Sequence, residues 1–168
     1  FSKKLNDVIP QRCLVFSLCT NSIGSLAGYA SFIENRIVPL LLAAKLDSGL
    51  FQYLVETYQP AFIWAPAEET EKISGYEKVF EAYGYVLYRT GLKGYPLYDE
   101  LALLLTTSGS TGSPKLVRQS YKNIEANTKS IVEYLELDET ERPITTLPMN
   151  YTYGLSIVNT HLYVGATI

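Results

Sequence analysis

Leu101-Ala102-Leu103-Leu104-Leu105, running into Thr106-Thr107-Ser108-Gly109-Ser110-Thr111-Gly112-Ser113-Pro114-Lys115, is the stretch that decides how this chain folds. Five consecutive apolar residues closed by turn-forming ones predict a buried strand. The segment after it predicts a loop that cradles an anion. From Thr106 to Ser113 every residue is Thr, Ser or Gly, which supplies hydroxyl donors and uncrowded backbone N–H groups and no charge until Lys115. Gly109 and Gly112 can take positive φ and let a ligand approach the backbone closely. Hydrogen bonds to charged groups are worth roughly 1.5–3 kcal/mol each, so three or four such donors plus Lys115 suit a polyphosphate.

A flexible turn between two strands is the bland alternative for a Gly/Ser cluster. Pro114 at the exit and Leu116-Val117 beyond it make a poor linker, and a linker needs no lysine. The spacing also differs from the common nucleotide loops: Lys115 follows Pro114 and precedes Leu116, so there is neither a Walker motif nor a Gly-x-Gly-x-x-Gly motif.

Outward from the loop, strand-like and helix-like stretches alternate. Arg12–Leu18 predicts a strand, Asn21-Ser22 a cap, and Ile23 to about Ile33 an amphipathic helix. Val38–Leu42 predicts the next strand, and Ser48–Tyr58 a helix with Leu50, Phe51, Leu54 and Val55 on one face. Ala61–Trp64 closes a β-α-β-α-β unit ending at Pro66, which implies a parallel sheet with right-handed crossovers. Glu68–Lys72 reads as a solvated loop or helix start, Val79-Phe80 as a short helix, and Val86–Tyr88 as a strand. After the loop, Ser120 is an N-cap for a helix over Tyr121–Tyr134 that buries Ile124, Ile131 and Leu135. Pro143–Pro148 predicts another strand, about Gly154–Tyr163 a helix, and Ala166 the start of a final strand. The fold class is α/β, a mostly parallel sheet with flanking helices.

The segment Thr107–Lys115 resembles the signature loop of the adenylate-forming (AMP-binding) superfamily, which includes acyl-CoA synthetases, luciferases and peptide-synthetase adenylation domains. Leu147-Pro148-Met149-Asn150-Tyr151-Thr152-Tyr153-Gly154-Leu155, with Gly165-Ala166 behind it, is similar to that family's next motif at the acyl pocket. Leu116 stands where the family usually has Gly, and Tyr121 and Tyr151 stand where it usually has His. The resemblance implies ATP and Mg²⁺ as cofactors, attack of a carboxylic acid on the α-phosphate to give an acyl-adenylate, and transfer to CoA or a carrier-protein thiol. It implies that Thr107, Ser108, Gly109, Ser110, Thr111, Gly112 and Lys115 hold the β- and γ-phosphates, and that Tyr151, Tyr153 and Gly154 border the acid. It also makes the chain an N-terminal fragment of a longer enzyme. Residues 1–98 would form a first α/β section and 99–168 the loop and the section after it. The Mg²⁺ ligands and the C-terminal domain would lie beyond Ile168, and these 168 residues alone are expected to be inactive.

Composition sets the outer bounds. At 168 residues, one domain can bury about 70% of its unfolded surface. A net charge of −3 without a Lys/Arg-rich run gives no electrostatic footprint for nucleic acid. The apolar run Ile37–Ala44 is far shorter than the roughly 20 residues that span a bilayer. Cys13 and Cys19, if in one extended segment, are too far apart to bridge and fit a reducing cytoplasm. His161 is the single histidine and reads as a packing residue on a helix, so no metal set is apparent. The fourteen tyrosines read first as packing rather than as base-stacking groups. Two other classes stay open at this level: a different ATP-binding module, and a non-catalytic scaffold that keeps the fold.

Overall fold

The computed structural model describes residues 1–69, 71–106 and 115–168. The elements in chain order are α1 (Ser2–Val8), β1 (Leu14–Cys19), α2 (Ile23–Glu34), β2 (Val38–Ala43), α3 (Ser48–Tyr58), β3 (Phe62–Pro66), β4 (Glu77–Ala82), β5 (Tyr85–Arg89), β6 (Leu101–Thr106), β7 (Leu116–Ser120), α4 (Tyr121–Leu135) and α5 (Thr152–Tyr163). The seven strands form one mixed sheet in the order β4-β5-β3-β1-β2-β6-β7. Its centre, β3-β1-β2-β6, is parallel, and antiparallel strands flank it on both sides.

Period-two alternation sorts each central strand onto two cores. Leu14, Phe16 and Leu18 of β1 join Val38, Leu40 and Leu42 of β2 and Phe51, Leu54 and Val55 of α3 on one face. Val15 points the other way, into a core with Phe32, Trp64, Tyr85 and Leu87, and Cys19 and Leu41 meet Leu103, Leu105 and Leu155 beside it. Because β2 and β3 lie on opposite sides of β1, crossovers of one hand place α2 and α3 on opposite faces of the sheet.

Trp64 is fully buried where α2 crosses the sheet. Its indole N–H donates to the Gly24 carbonyl at 3.0 Å, and a Cβ on Gly28 would sit 2.3 Å from the same nitrogen. Both α2 glycines are therefore close-approach positions. The Tyr85 hydroxyl fixes the carboxyl end of β1, donating to the Leu18 carbonyl at 3.0 Å and accepting from the Thr20 N–H at 3.1 Å.

The predicted β1-α2-β2-α3-β3 unit is present, as are the Ser22 and Ser120 caps, which accept from Ser25 N and Asn123 N. Four local expectations are corrected. Val79 and Phe80 lie in β4, not in a short helix. Tyr83 (φ 52°) and Gly84 (φ 72°) form a two-residue turn of the type I′ kind, whose twist suits a hairpin, and this pairs β4 with β5. Pro143–Pro148 makes no ladder: each terminal proline lacks an N–H, the Thr146 N–H turns back to the Ile144 carbonyl at 3.2 Å, and Asn21 Nδ2 takes up the Thr145 and Leu147 carbonyls at 2.6 and 3.3 Å. Ala166 starts no strand, because its N–H returns to the His161 carbonyl at 2.9 Å and, with Gly165 at φ 75°, completes a Schellman cap on α5. In α4 only Thr128 is buried, and Leu135 is 55% exposed. This helix packs at the β7 edge of the sheet against α5 and so is covered on one flank.

The helix α1 was not anticipated from the sequence. It buries Leu5 against the Trp64 core, and Phe1 sets its ring 6.1, 5.9 and 5.3 Å from those of Trp64, Phe80 and Tyr83.

Candidate functional site

The parallel strands β1, β2, β3 and β6 all deliver their carboxyl ends to one edge of the sheet, the edge where open α/β sheets bind ligands. The predicted phosphate-loop residues Thr107, Ser108, Gly109, Ser110, Thr111 and Gly112 lie outside the described residues. Their two anchors are described. Thr106 ends β6, and its cross-strand partner Leu116 begins β7, so exposed Lys115 stands at the carboxyl edge beside the end of β6. Leu116 is partly buried against the α3-side core, which gives the apolar residue after the loop lysine a packing role.

Tyr121 is at the opposite edge. Antiparallel pairing carries β7 back so that Ser120 faces Leu101, and Tyr121 stands under the Arg36 guanidinium, 4.7 Å from its centre. Arg12 reaches the same place: it donates to the carbonyls of Tyr98 and Leu101 at 2.9 and 2.5 Å, to the Arg36 carbonyl, and to the Tyr121 hydroxyl at 3.4 Å. Tyr121 thus belongs to a clamp on the segment entering β6.

The second motif forms the start of α5. Gly154 is buried, and a Cβ there would meet the carbonyl oxygens of Pro148 and Leu147 at 2.4 and 2.8 Å. Only glycine lets the helix sit this close to the Pro148 turn. Met149 is clamped beneath, accepting a hydrogen bond from Ser25 Oγ at 2.9 Å, and buried Asn150 leaves its Oδ1 without a partner. Tyr151 is the N-cap residue, 54% exposed, and Tyr153 is 68% exposed.

The residue between them points into a cleft that the motif reading did not identify. Thr152, Leu155, Ser156 and Asn159 of α5 form one wall, Lys122, Asn123, Ile124 and Asn127 of α4 the other, and Leu103 and Leu105 of β6 the floor, enclosing about 660 Å³. The spacing of Thr152, Ser156 and Asn159 on α5, and of Asn123 and Asn127 on α4, is one helical face of polar residues in each case. That i, i+4 pattern is the sequence signal that could have pointed to the cleft.

The remaining reactive groups are structural. Nδ1 of buried His161 donates to the Ile157 carbonyl at 2.8 Å, as expected of a packing histidine. Burial pushes the Cys13 thiol up to about 12 and that of Cys19 up to about 11, so both stay protonated and unreactive at neutral pH. Burial likewise raises the Tyr29 phenol, whose hydroxyl donates to Asn159 Oδ1 at 2.7 Å and ties α2 to α5. Among the described residues no group of three or more His, Cys, Asp or Glu side chains comes together, and no helix is long and apolar enough to cross a membrane.

Comparison with known proteins agrees with this geometry. The family model for AMP-binding enzymes matches residues 51–168. A 3,4-dihydroxybenzoate–[aryl-carrier protein] ligase from Bacillus anthracis is 39% identical over 59 residues, 35% of this chain and 14% of that protein. A 2-succinylbenzoate–CoA ligase from Bacillus subtilis is 32% identical over 77 residues, 46% of this chain and 16% of that protein. Among solved structures, o-succinylbenzoate CoA synthetase (MenE) from Bacillus subtilis with its acyl-adenylate intermediate superposes with a TM-score of 0.76 at 21% identity, over 99% of this chain and 45% of that one. The same synthetase with ATP and magnesium ion gives 0.71, also at 21% identity, over 99% of this chain and 47% of that one. The chain thus spans less than half the length of the solved proteins it matches.

Proposed function

As the chain belongs to the AMP-binding enzyme family, we propose that the protein carrying it uses ATP to convert a carboxylic acid into an acyl-adenylate and then passes the acyl group to a thiol of CoA or of a carrier protein. The observation that supports this reading is the position of the two described anchors, Thr106 at the carboxyl end of β6 and Lys115 just before β7, together with the Thr/Ser/Gly sequence between them. The donor chemistry of that segment fits a polyphosphate. Thr107, Ser108, Gly109, Ser110, Thr111, Gly112 and Lys115 hold the β- and γ-phosphates, and their donors stabilise charge on the departing pyrophosphate. ATP supplies the activating phosphoryl group. No Mg²⁺ ligands are assigned among the described residues.

The acid lies at the start of α5, bordered by Tyr151, Tyr153 and Gly154, with Gly154 setting how closely the helix approaches the Pro148 turn. The attacking carboxylate oxygen bonds to the α-phosphorus, the bond to the bridging oxygen breaks, and pyrophosphate leaves with that electron pair. The free thiols of buried Cys19 and partly buried Cys13 support a reducing, cytoplasmic location.

In the full-length protein, Lys115→Ala is expected to slow carboxylate-dependent exchange of pyrophosphate into ATP roughly 10–100-fold, the scale of losing one charged donor to the transition state. Exchange at the parental rate and the parental ATP requirement would overturn the assignment of the loop. The 168-residue chain by itself is expected to release no AMP from ATP and a carboxylate, which a nucleotide-release assay checks directly.

A further inference from the structure

We infer that the acid activated by this protein carries a second acceptor group distal to its reacting carboxylate, above all a second carboxylate, and that this group is held in the cleft between α4 and α5. This rests on the adenylation reading and names its substrate class. The cleft begins at Thr152, at the start of α5, and encloses about 660 Å³, enough for the body of a small acid.

The chemistry of the walls decides which acid. Gln119, Lys122, Asn123, Asn127 and Asn159 bring four amides and an ammonium to one cavity, and none of the described residues lining it is an Asp or Glu. The amide hydrogens are largely uncommitted. Asn159 Oδ1 is taken by the Tyr29 hydroxyl and Asn123 Oδ1 by Ser120 Oγ, while neither Nδ2 donates to a protein group among the described residues. Asn127, Gln119 and Lys122 make no side-chain hydrogen bond among the described residues. A hydrocarbon acid pressed against these groups strips their water and pairs none of them. An acid with a distal carboxylate replaces that water with charge-assisted hydrogen bonds, the situation in which a site built to hydrogen-bond rejects an analogue lacking the group. The apolar side chains of Ile124 and Ala126 on the α4 wall then pack the methylenes between the two ends.

The test uses the full-length protein and matched pairs of acids of equal carbon count, octanoate against suberate and hexanoate against adipate. Two readouts are taken: pyrophosphate exchange, and the rise in melting temperature on adding the acid alone. Exchange with a dicarboxylate is expected to exceed that with its monocarboxylate partner at least about tenfold in kcat/KM, carried mainly by KM. Asn127→Leu should cut that ratio about tenfold, and Lys122→Met should do the same if the first variant folds poorly. A monocarboxylate that matches or exceeds its dicarboxylate overturns the inference and leaves the adenylation reading standing. A dicarboxylate-specific rise in melting temperature that Asn127→Leu abolishes, without exchange for any acid, supports the cleft assignment and overturns adenylation. Neither exchange nor a rise in melting temperature with any acid overturns both.

Discussion

Trp64→Ala is expected to lower the stability of the fold by about 3–5 kcal/mol, the range for removing a large buried aromatic side chain. Three losses combine at this site. The side chain is fully buried, so its removal leaves a void between α2 and the sheet that Gly24 and Gly28, without side chains, do not fill. Ring contacts with Phe1, Phe80 and Tyr85, at 6.1, 6.4 and 5.2 Å, disappear together and loosen α1 and the β4-β5 hairpin. The Gly24 carbonyl also loses the indole donor at 3.0 Å. For a chain of this length the melting temperature should fall by roughly 6–20 °C, read by circular dichroism because Trp64 is the sole tryptophan. Trp64→Phe keeps much of the volume and should cost less than half as much. Equal losses in the two variants would show that the hydrogen bond, not the ring, holds α2 down.

Gly154→Ala is expected to reduce both stability and acid activation. Its Cβ would lie 2.4 Å from the Pro148 oxygen, 2.8 Å from the Leu147 oxygen and 2.9 Å from the Pro148 carbonyl carbon. All three are backbone atoms, so no flexible side-chain end can turn aside. Either α5 lifts from the sheet, which unpacks Leu155 and Val158 from Leu103 and Leu105, or residues 147–148 move and release their Asn21 bonds. Overpacking of this kind costs about 1–3 kcal/mol. Because Thr152 and Ser156 ride on α5, a shift near 1 Å should also slow acid-dependent pyrophosphate exchange roughly 10–100-fold. Activity unchanged at a temperature where the variant is folded would separate α5 from the acid site.

The central unit of the fold was legible because its signals are local and redundant. β1, β2 and β3 are runs of apolar residues at strand length, and α2 opens on a Ser cap that the structure uses. The edges were less so, for identifiable reasons. Tyr83-Gly84 makes a turn normally written Asn-Gly or Asp-Gly, which hid the β4-β5 hairpin and made Val79-Phe80 look helical. Pro143–Pro148 has strand composition, but a strand is completed by a partner, and the amide that meets these carbonyls comes from Asn21, 124 residues from Thr145. Of the site, the loop and the Gly154 motif stood out as contiguous signatures. The cleft did not, because Asn127 and Thr152 are brought together only when α4 packs on α5.

The pairing of β6 with β2 on one side and β7 on the other sets a gradient of local stability across the loop's two ends. β6 lies one strand in from the edge with four consecutive buried residues, and those of its amides that bond to β2 are better protected from exchange than those that bond to β7. β7 is the outer strand, with Val117 and Arg118 exposed, and frays without disturbing the core. Thr106 is therefore pinned, and Lys115 stands at the head of the compliant strand. Lys115 thus precedes a strand that can shift by edge fraying, while Thr106 ends one held on both sides.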